Sequence, residues 1–527
     1  MTMRSAWAGH YPPLRHEVHF GRMVRCFPDR PAGFHAMLES AVARFPDEEA
    51  LVCGEARFTW RQFATEAESW AAHLAAQGVT AGDRVVLFLT NRAEYPILLL
   101  AIARLGAISV PVTMHSRAPE LAHIVPHCGA VMVIHDEALA DRLPERAKLP
   151  AVRSFVSLGA ATFLPPPATV SLVSTGEDDT VFILYTSGTT GRPKGAMLTN
   201  LNVVACALNF GHTMKLTQAD RSVLSVPFSH ITGVVSIFAT LMQAGATLVM
   251  LPEFKAATFL ETAARERMTH AVMVPAMYNL CLLNADFERF DLSAWRIGCF
   301  GAAPMPPSTV ARFAALLPGL GLMNAYGATE SSAPAVLMRP DLTAAHLSSA
   351  GTVLPGCDVL IMGEDGRELP QGETGEIWIA GANVIPGYWN DAVATAENIV
   401  GGYWRSGDLG YFDAEGFLFV ADRKKDAINR GGYKIYSVEV ENTLMEIPGM
   451  IECAVVAKPC PVLGERVHAF VRTSEPITEE AIRAFCAERL SRYKVPESVT
   501  LASMPLPRNP TGKLLKLDLR TQLAAAG

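Results

Sequence analysis

What this chain has little of narrows it first. Charge is sparse: 18% of its 527 residues are Asp, Glu, Lys or Arg, and the formal net charge is −7. No run of lysine or arginine suggests the basic patch that a nucleic-acid interface needs, so no nucleic-acid partner is expected. The ten cysteines include no Cys-x-x-Cys pair, so neither the usual spacing of a zinc site nor a disulfide framework is indicated. A reducing, cytoplasmic setting is the expectation. The first residues carry Arg4, His10, Arg15, His16 and Glu17 with no apolar core among them, and no secretory signal is expected. The stretch Ile231 to Leu251 lacks charge over a length that could cross a bilayer. Thr232, Gly233, Ser236, Gln243 and Gly245 interrupt it, however, and it reads as a buried helix, a break, and the strand Thr247-Leu248-Val249-Met250. No transmembrane segment is expected, and the closing Ala-Ala-Ala-Gly matches no lipidation or peroxisomal signal.

Apolar residues make up half of the chain, enough at this length for two or more domains with a large core. Thr59 precedes a helical pattern of Trp60, Phe63, Ala67, Trp70, Ala71 and Leu74 that Gly78 closes. Arg84–Thr90 reads as a buried strand, Asn91 as the cap of the next helix, and Ile108–Val112 and Ala130–Ile134 as further strands. Strands joined by helices imply a parallel sheet covered on both faces. The same alternation runs from residue 220 to about 330. After residue 350 the pattern becomes a β-meander, with Gly416 at a hairpin turn. From about residue 426 a small α+β unit follows, with helices at 437–447 and after Thr478.

The most unusual stretch is Tyr185-Thr186-Ser187-Gly188-Thr189-Thr190-Gly191-Arg192-Pro193-Lys194-Gly195, directly after the apolar run Val181–Leu184. Glycines let backbone N–H groups converge on an anion, hydroxyls add donors, and Lys194 adds a mobile charge. Most Ser/Thr/Gly loops are merely solvated turns. The P-loop of nucleotide hydrolases needs four residues between its glycines and a hydroxyl after the lysine. Gly188 and Gly191 are too close for that, and Gly195 follows Lys194.

The stretch instead resembles the phosphate loop of the adenylate-forming superfamily, in its acyl-CoA synthetase branch, and further segments match in the family's order. Pro227–Gly233 is similar to the aromatic gate, with His230 at the gating position; alone, such a histidine is more often a packed core residue. Gly301-Ala302-Ala303-Pro304 resembles the loop lying along adenine, and Asn324–Glu330 the segment in which Tyr326 packs on adenine, Gly327 and Thr329 line the nucleotide and Glu330 holds Mg²⁺. Tyr403–Gly410 resembles the ribose segment, with Asp408 offering two acceptors to vicinal hydroxyls. Asp422–Asp426 resembles the hinge, with Arg423 toward ribose or α-phosphate and Lys425 at the pivot. Gly431 and Gly432 match the loop lining the pantetheine tunnel, and Lys513, in Asn-Pro-Thr-Gly-Lys, matches the adenylation lysine.

The resemblance implies an α/β fold: a large N-terminal domain of stacked mixed and parallel sheets with helices, residues 1–423, with the β-meander subdomain near 350–420. A hinge at 424–426 and a small mobile α+β lid at 427–527 complete it. It also implies the reaction. A carboxylic acid attacks the α-phosphorus of ATP, giving acyl-AMP and pyrophosphate, and coenzyme A then takes the acyl group. Thr186–Thr190 (Thr186, Ser187, Gly188, Thr189, Thr190), Gly191 and Lys194 would take the phosphates, Glu330 the metal, and Lys513 the carboxylate and α-phosphate. The acyl pocket would lie among Ile231, Gly233, Ala302, Gly327 and Ala328, with Val274–Met277 and Ser331–Ala333 nearby. These residues are small or apolar, and a buried charge would need a partner, so a medium-chain fatty or aryl acid is expected. An adenylating enzyme serving a carrier protein shares the same motifs, and a non-catalytic nucleotide-binding scaffold is the reading from another class. Glu330, Asp408, Arg423 and Lys513 together speak against the scaffold. Self-association as a homodimer is left open.

Overall fold

The computed structural model describes Trp7 and residues 11–160, 165–166, 168–187, 193–284, 287–301, 305–508 and 514–526. The chain divides into two compact units, residues 1–359 with 379–405, and residues 360–378 with 406–527.

The first unit is built on two sheets. One has six strands in the order 193–199, 180–187, 108–112, 84–88, 132–136, 154–158, parallel except for the antiparallel hairpin formed by the first two. The other has nine, in the order 352–353, 333–337, 321–328, 297–301, 270–273, 221–224, 247–250, 49–53, 56–59, parallel through its centre and antiparallel at both ends. Helices connect the sheets. Trp60–Ala76 packs on strands 49–53 and 56–59, while its neighbour Glu94–Arg104 packs on strand 108–112. Ten of the eleven residues of Glu94–Arg104 are buried, as a helix covered on all sides requires.

Local chemistry accounts for these elements. Thr59 caps its helix through a reciprocal box with Gln62, and Gly78 follows at φ +85°. Asn91 departs from expectation. The helix begins at Glu94 without a side-chain cap, and Asn91 is buried instead. Its amide donates to the carbonyls of Val226 and Leu251, both at 3.0 Å, and its oxygen accepts from Phe228 N at 2.8 Å. Three buried backbone groups at strand ends need partners, and that demand outweighs local capping. The uncharged stretch from Ile231 divides at Gly245 (φ +74°) into a helical part and the strand Thr247–Met250. Its helical part is a π-helix over Thr232–Ala239 that continues as an α-helix over Thr240–Ala244. No helix long and apolar enough to cross a membrane occurs among the described residues.

In the second unit, strands 433–435, 428–430, 464–473 and 450–460 form a sheet in that order, with 498–501 parallel to 464–473. Helices Ser437–Met445 and Glu479–Ala487 cover it over a core of Ile428, Ile435, Val440, Leu444, Val455, Val467, Ile482 and Cys486. Thr478 caps the second helix by accepting from Ala481 N. Residues 406–426 cluster with this unit. Asp422 shows why: its carboxylate accepts from Ser437 N and from Ser437 Oγ (3.0 Å), at the start of the first helix.

Candidate active site

The apolar residues Val181, Phe182, Ile183 and Leu184 are all buried within the strand Thr180–Ser187. Antiparallel pairing with Pro193–Thr199 sets Lys194 opposite Thr186 and Gly195 opposite Tyr185, so cation and hydroxyl stand side by side. Of the expected cradle, Gly188, Thr189, Thr190 and Gly191 lie outside the described residues, as do Ala302, Ala303, Pro304 and Lys513, and only the backbone of Ser187 is described. Gly195 has a packing reason: a Cβ there would stand 2.7 Å from Ile183 Cγ2. Its carbonyl accepts from Trp389 N (2.7 Å), and Met197 N donates to Gly387 O (3.1 Å), which lays residues 387–389 along the hairpin.

That segment delivers Tyr388. Its hydroxyl donates to Glu330 Oε1 at 3.1 Å, and Thr186 Oγ1 donates to the same oxygen at 3.0 Å. Lys194 Nζ stands 5.4 Å from the centre of the Tyr388 ring, within reach of a cation–π contact. Burial pushes the Tyr388 phenol well above its ordinary range, with the Glu330 carboxylate adding to the effect, so the hydroxyl stays a neutral donor. Glu330 itself, 9% exposed, sits in the tight turn Thr329–Ser331 after the strand Gly321–Ala328. The turn is pinned by backbone bonds: Ile385 N donates to Glu330 O and Asn383 Nδ2 to Ser331 O, both at 3.0 Å. Ser332 (φ 52°) and Ala333 (φ 111°) then take left-handed conformations that side-chain-bearing residues rarely adopt. A carboxylate flanked by hydroxyls suits Mg²⁺, which takes one or two carboxylates and completes its shell with phosphate and water oxygens.

Tyr326, Ala328 and Thr329 are half-buried and Gly327 is exposed along the same edge. Gly327 lies at a bulge where a Cβ would come 2.3 Å from Ala333 O, and a Cβ on Gly301 would come 2.6 Å from Ala325 O. The gate segment behaves alike: a Cβ on Gly233 would meet Phe228 Cα and Pro227 O at 2.8 Å. Close backbone approach therefore demands all three glycines. His230 is half-buried, with Nδ1 3.1 Å from Thr232 Oγ1 and accepting from Thr232 N at 3.3 Å. Ile231 is buried, and the π-helix after it packs on strands 270–273 and 333–337. That brings the expected acyl-pocket segments around 231–236, 274 and 333 together.

In the second unit, Asp408 and Arg423 are cross-strand partners, Arg423 Nε lying 3.4 Å from Asp408 Oδ1. Lys425 is exposed, in a turn closed by Asp426 N and Ala427 N donating to Arg423 O. Arg520 donates to Lys425 O (3.0 Å) and Asp426 Oδ1 (2.8 Å). Gly431 (φ +58°) and Gly432 (φ +90°) form the two-residue turn between strands 428–430 and 433–435, the hairpin turn that needs two positive φ values.

Comparison with known proteins decides the family. The model of the AMP-binding enzyme matches residues 38–389, and that of the AMP-binding enzyme C-terminal domain matches residues 439–513. The chain belongs to the AMP-binding enzyme family. It is 34% identical over 478 residues to the long-chain-fatty-acid–CoA ligase FadD13 of Mycobacterium tuberculosis, covering 89% of this chain and 94% of that protein. It is also 34% identical over 482 residues to a feruloyl-CoA synthase of Amycolatopsis, covering 90% and 96%. Among solved structures, o-succinylbenzoate coenzyme A synthetase (MenE) of Bacillus subtilis in complex with ATP and magnesium ion aligns with a TM-score of 0.82 at 28% identity, covering 93% of this chain and 99% of that one.

Within this AMP-binding enzyme, sequence reading missed Tyr388 and Asn383. Gly387-Tyr388-Trp389 is a visible signal, an aromatic pair after a glycine, but no spacing in it points toward Glu330, 58 residues earlier. Asn383 acts through a backbone carbonyl and leaves no pattern.

Proposed function

We propose that this chain is an ATP-dependent acid–CoA ligase that forms acyl-AMP and pyrophosphate and then passes the acyl group to coenzyme A, on an apolar medium-chain fatty or aryl acid, in the cytoplasm. The observation that carries this reading is the convergence of Thr186, Lys194, Tyr388 and Glu330, which sets a cation and a metal-type carboxylate on either side of one phenol. Carboxylate and triphosphate are both anionic, so the barrier is largely repulsion and positioning. Lys194 and the Thr186–Gly191 turn would take the β- and γ-phosphates. Glu330 would hold Mg²⁺, whose charge offsets that of the leaving pyrophosphate. Tyr388 and Thr186 aim the carboxylate.

Lys513 is proposed to bridge the carboxylate and α-phosphate, Tyr326, Gly301 and Thr329 to line the adenine and phosphate, and Asp408 with Arg423 to take the ribose. For the second half-reaction we propose a rotation about the 424–426 hinge, between domains 1–423 and 427–527, that withdraws Lys513 and brings Gly431 and Gly432 to the pantetheine. His230 would gate the acyl pocket formed with Ile231, Gly233, Gly327 and Ala328, where no charge would meet the substrate tail. Relatives named for long-chain fatty acids and for feruloyl-CoA fit that class. The test is pyrophosphate release across a panel of carboxylic acids, with and without coenzyme A. Release with an apolar acid, followed by acyl-CoA formation, is expected. Release without transfer to coenzyme A points to a carrier-protein acceptor, and no release with any acid overturns the reading.

A further inference from the structure

In the second unit the chain around Lys425 is bound from both sides. Up to Lys424 it is held to the β-meander: Lys424 N donates to Gly407 O (2.8 Å) and Lys424 Nζ to Glu376 Oε2 (3.3 Å). From Asp426 onward it is held to the terminal helix Lys516–Ala526, through Arg520 Nη2 donating to Asp426 Oδ1 (2.8 Å). Lys425 stands between these two anchorages with its side chain exposed, and its carbonyl accepts from Arg520 Nη1 (3.0 Å).

A further set of bonds reaches across that joint. Asp422 and Ser437 are buried, and the Asp422 carboxylate accepts from Ser437 N and from Ser437 Oγ (3.0 Å). The same hydroxyl accepts from Lys516 Nζ (2.6 Å), which also pairs with Glu441 Oε1 (2.7 Å). A chain of polar groups therefore runs from the strand Leu418–Arg423, before the joint, to the helices Ser437–Met445 and Lys516–Ala526 after it. Lys516 and Arg520 are four residues apart on one helix, so a single helix face serves both this chain and the joint itself. Burial raises the Asp422 and Glu441 carboxyls, and the Lys516 ammonium opposes the rise in each. Without Lys516 two buried acids would be left with no cation between them.

We propose that Asp422, Ser437 and Lys516 form a latch across the hinge, closed in one of its rotational states and open in the other, and that this latch sets the balance between adenylation and thiolysis. The latch rests on the two-step, hinge-rotating reading given above. Asp422 lies before residues 424–426, and Ser437 and Lys516 lie after them. Hydrogen bonds weaken steeply with distance and angle, so a rotation about 424–426 cannot keep bonds this short between groups on its two sides. Turning the Lys425 peptide likewise swings its carbonyl away from Arg520. Lys516 follows Lys513 by three residues, so the closed latch also ties the root of the segment bearing that lysine to the residue before Arg423. All three members are positioning residues, acting through the hinge. No local motif announces them, because they stand at 422, 437 and 516.

The test compares the full chain with Ser437→Ala, which removes the shared hydroxyl and leaves both charges, and with Asp422→Asn, which removes a charge and keeps the shape. Limited trypsin digestion reads the latch without reference to activity. Cleavage after residues 423–425 should quicken by about tenfold in each variant, as expected for losing a hydrogen bond to a charged group, while other sites are cut at their original rate. Pyrophosphate release and thiolysis of supplied acyl-AMP are then measured separately. Their ratio should shift by about tenfold, because loosening one rotational state raises the population of the other. A merely structural role lowers both half-reactions together and leaves that ratio where it was. Unchanged cleavage at 423–425, or an unaltered ratio in a folded variant, would overturn the latch. If the unaltered chain activates no acid, the catalytic reading fails by itself and the cleavage comparison still decides the latch. Ser437→Ala, the smaller change, keeps the test decisive if Asp422→Asn fails to fold.

Discussion

At the scale of single residues, the site rests on side chains that each touch two others. Tyr388 is the clearest case, because it joins Glu330 to Lys194 without being charged. A hydrogen bond to a charged group contributes about 1.5–3 kcal/mol. Tyr388→Phe should therefore keep the fold but raise the magnesium concentration needed for half-maximal pyrophosphate release by roughly tenfold; an unchanged magnesium dependence would show that Glu330 is aimed by other groups. Lys513→Ala should lower acyl-AMP formation by on the order of a hundredfold or more while sparing thiolysis of supplied acyl-AMP. Equal damage to both half-reactions would remove Lys513 from the role proposed for it. Residues such as Thr186, Lys194 and Glu330 were legible in sequence because each lies in a dense local motif. Asn91, Asn383 and Tyr388 were not, because their partners are set by sheet packing across dozens of positions or more.

Elements show where pattern reading succeeds. Thr59, Thr478 and Gly78 bound their helices as their chemistry predicts, since capping is settled within four residues. Gly233, Gly301 and Gly327 have a second explanation that sequence alone did not supply: close backbone contacts already require them. This makes a prediction. Gly327→Ala pushes a Cβ to 2.3 Å from Ala333 O, so the bulge must open. Calorimetry should register a loss of about 1–3 kcal/mol, together with reduced pyrophosphate release. Gly432→Ala meets no neighbour within 4 Å and should cost only the strain of its φ of +90°, about 1–2 kcal/mol. A larger loss for Gly432→Ala than for Gly327→Ala would reverse this account.

For the molecule as a whole, the order of helices and strands was readable because each strand is a short apolar run bounded by turns. How those strands sort into sheets of six and nine was not, since sheet order depends on contacts distant in sequence. If the pivot lies at Lys425, Lys425→Pro should abolish thiolysis and leave adenylation within a few-fold of normal; intact thiolysis would move the pivot elsewhere. Part of the acid sensitivity follows from two of the buried histidines. Burial lowers His270 and His468 from 6.5 to about 4, His270 beside Ser222 and His468 between Ser498 and Thr500. Between those values the unfolded chain binds protons that the folded chain refuses, so stability is full above about 6.5 and drains as pH falls toward 4. The loss should be on the order of 1–3 kcal/mol per histidine. His468→Gln should flatten part of that slope in melting curves taken near neutrality and at the acid end of the window.

The ring of Tyr388 has one more effect. Left without a spacer, a lysine on one strand and a glutamate in a neighbouring turn would collapse into a neutral couple, and every arriving triphosphate would first have to prise them apart. With an aromatic face under the ammonium and a phenol on the carboxylate, each charge is parked on its own neighbour. The resting pocket is thus a held-open pair of poles, ready for an anion at one and a cation at the other.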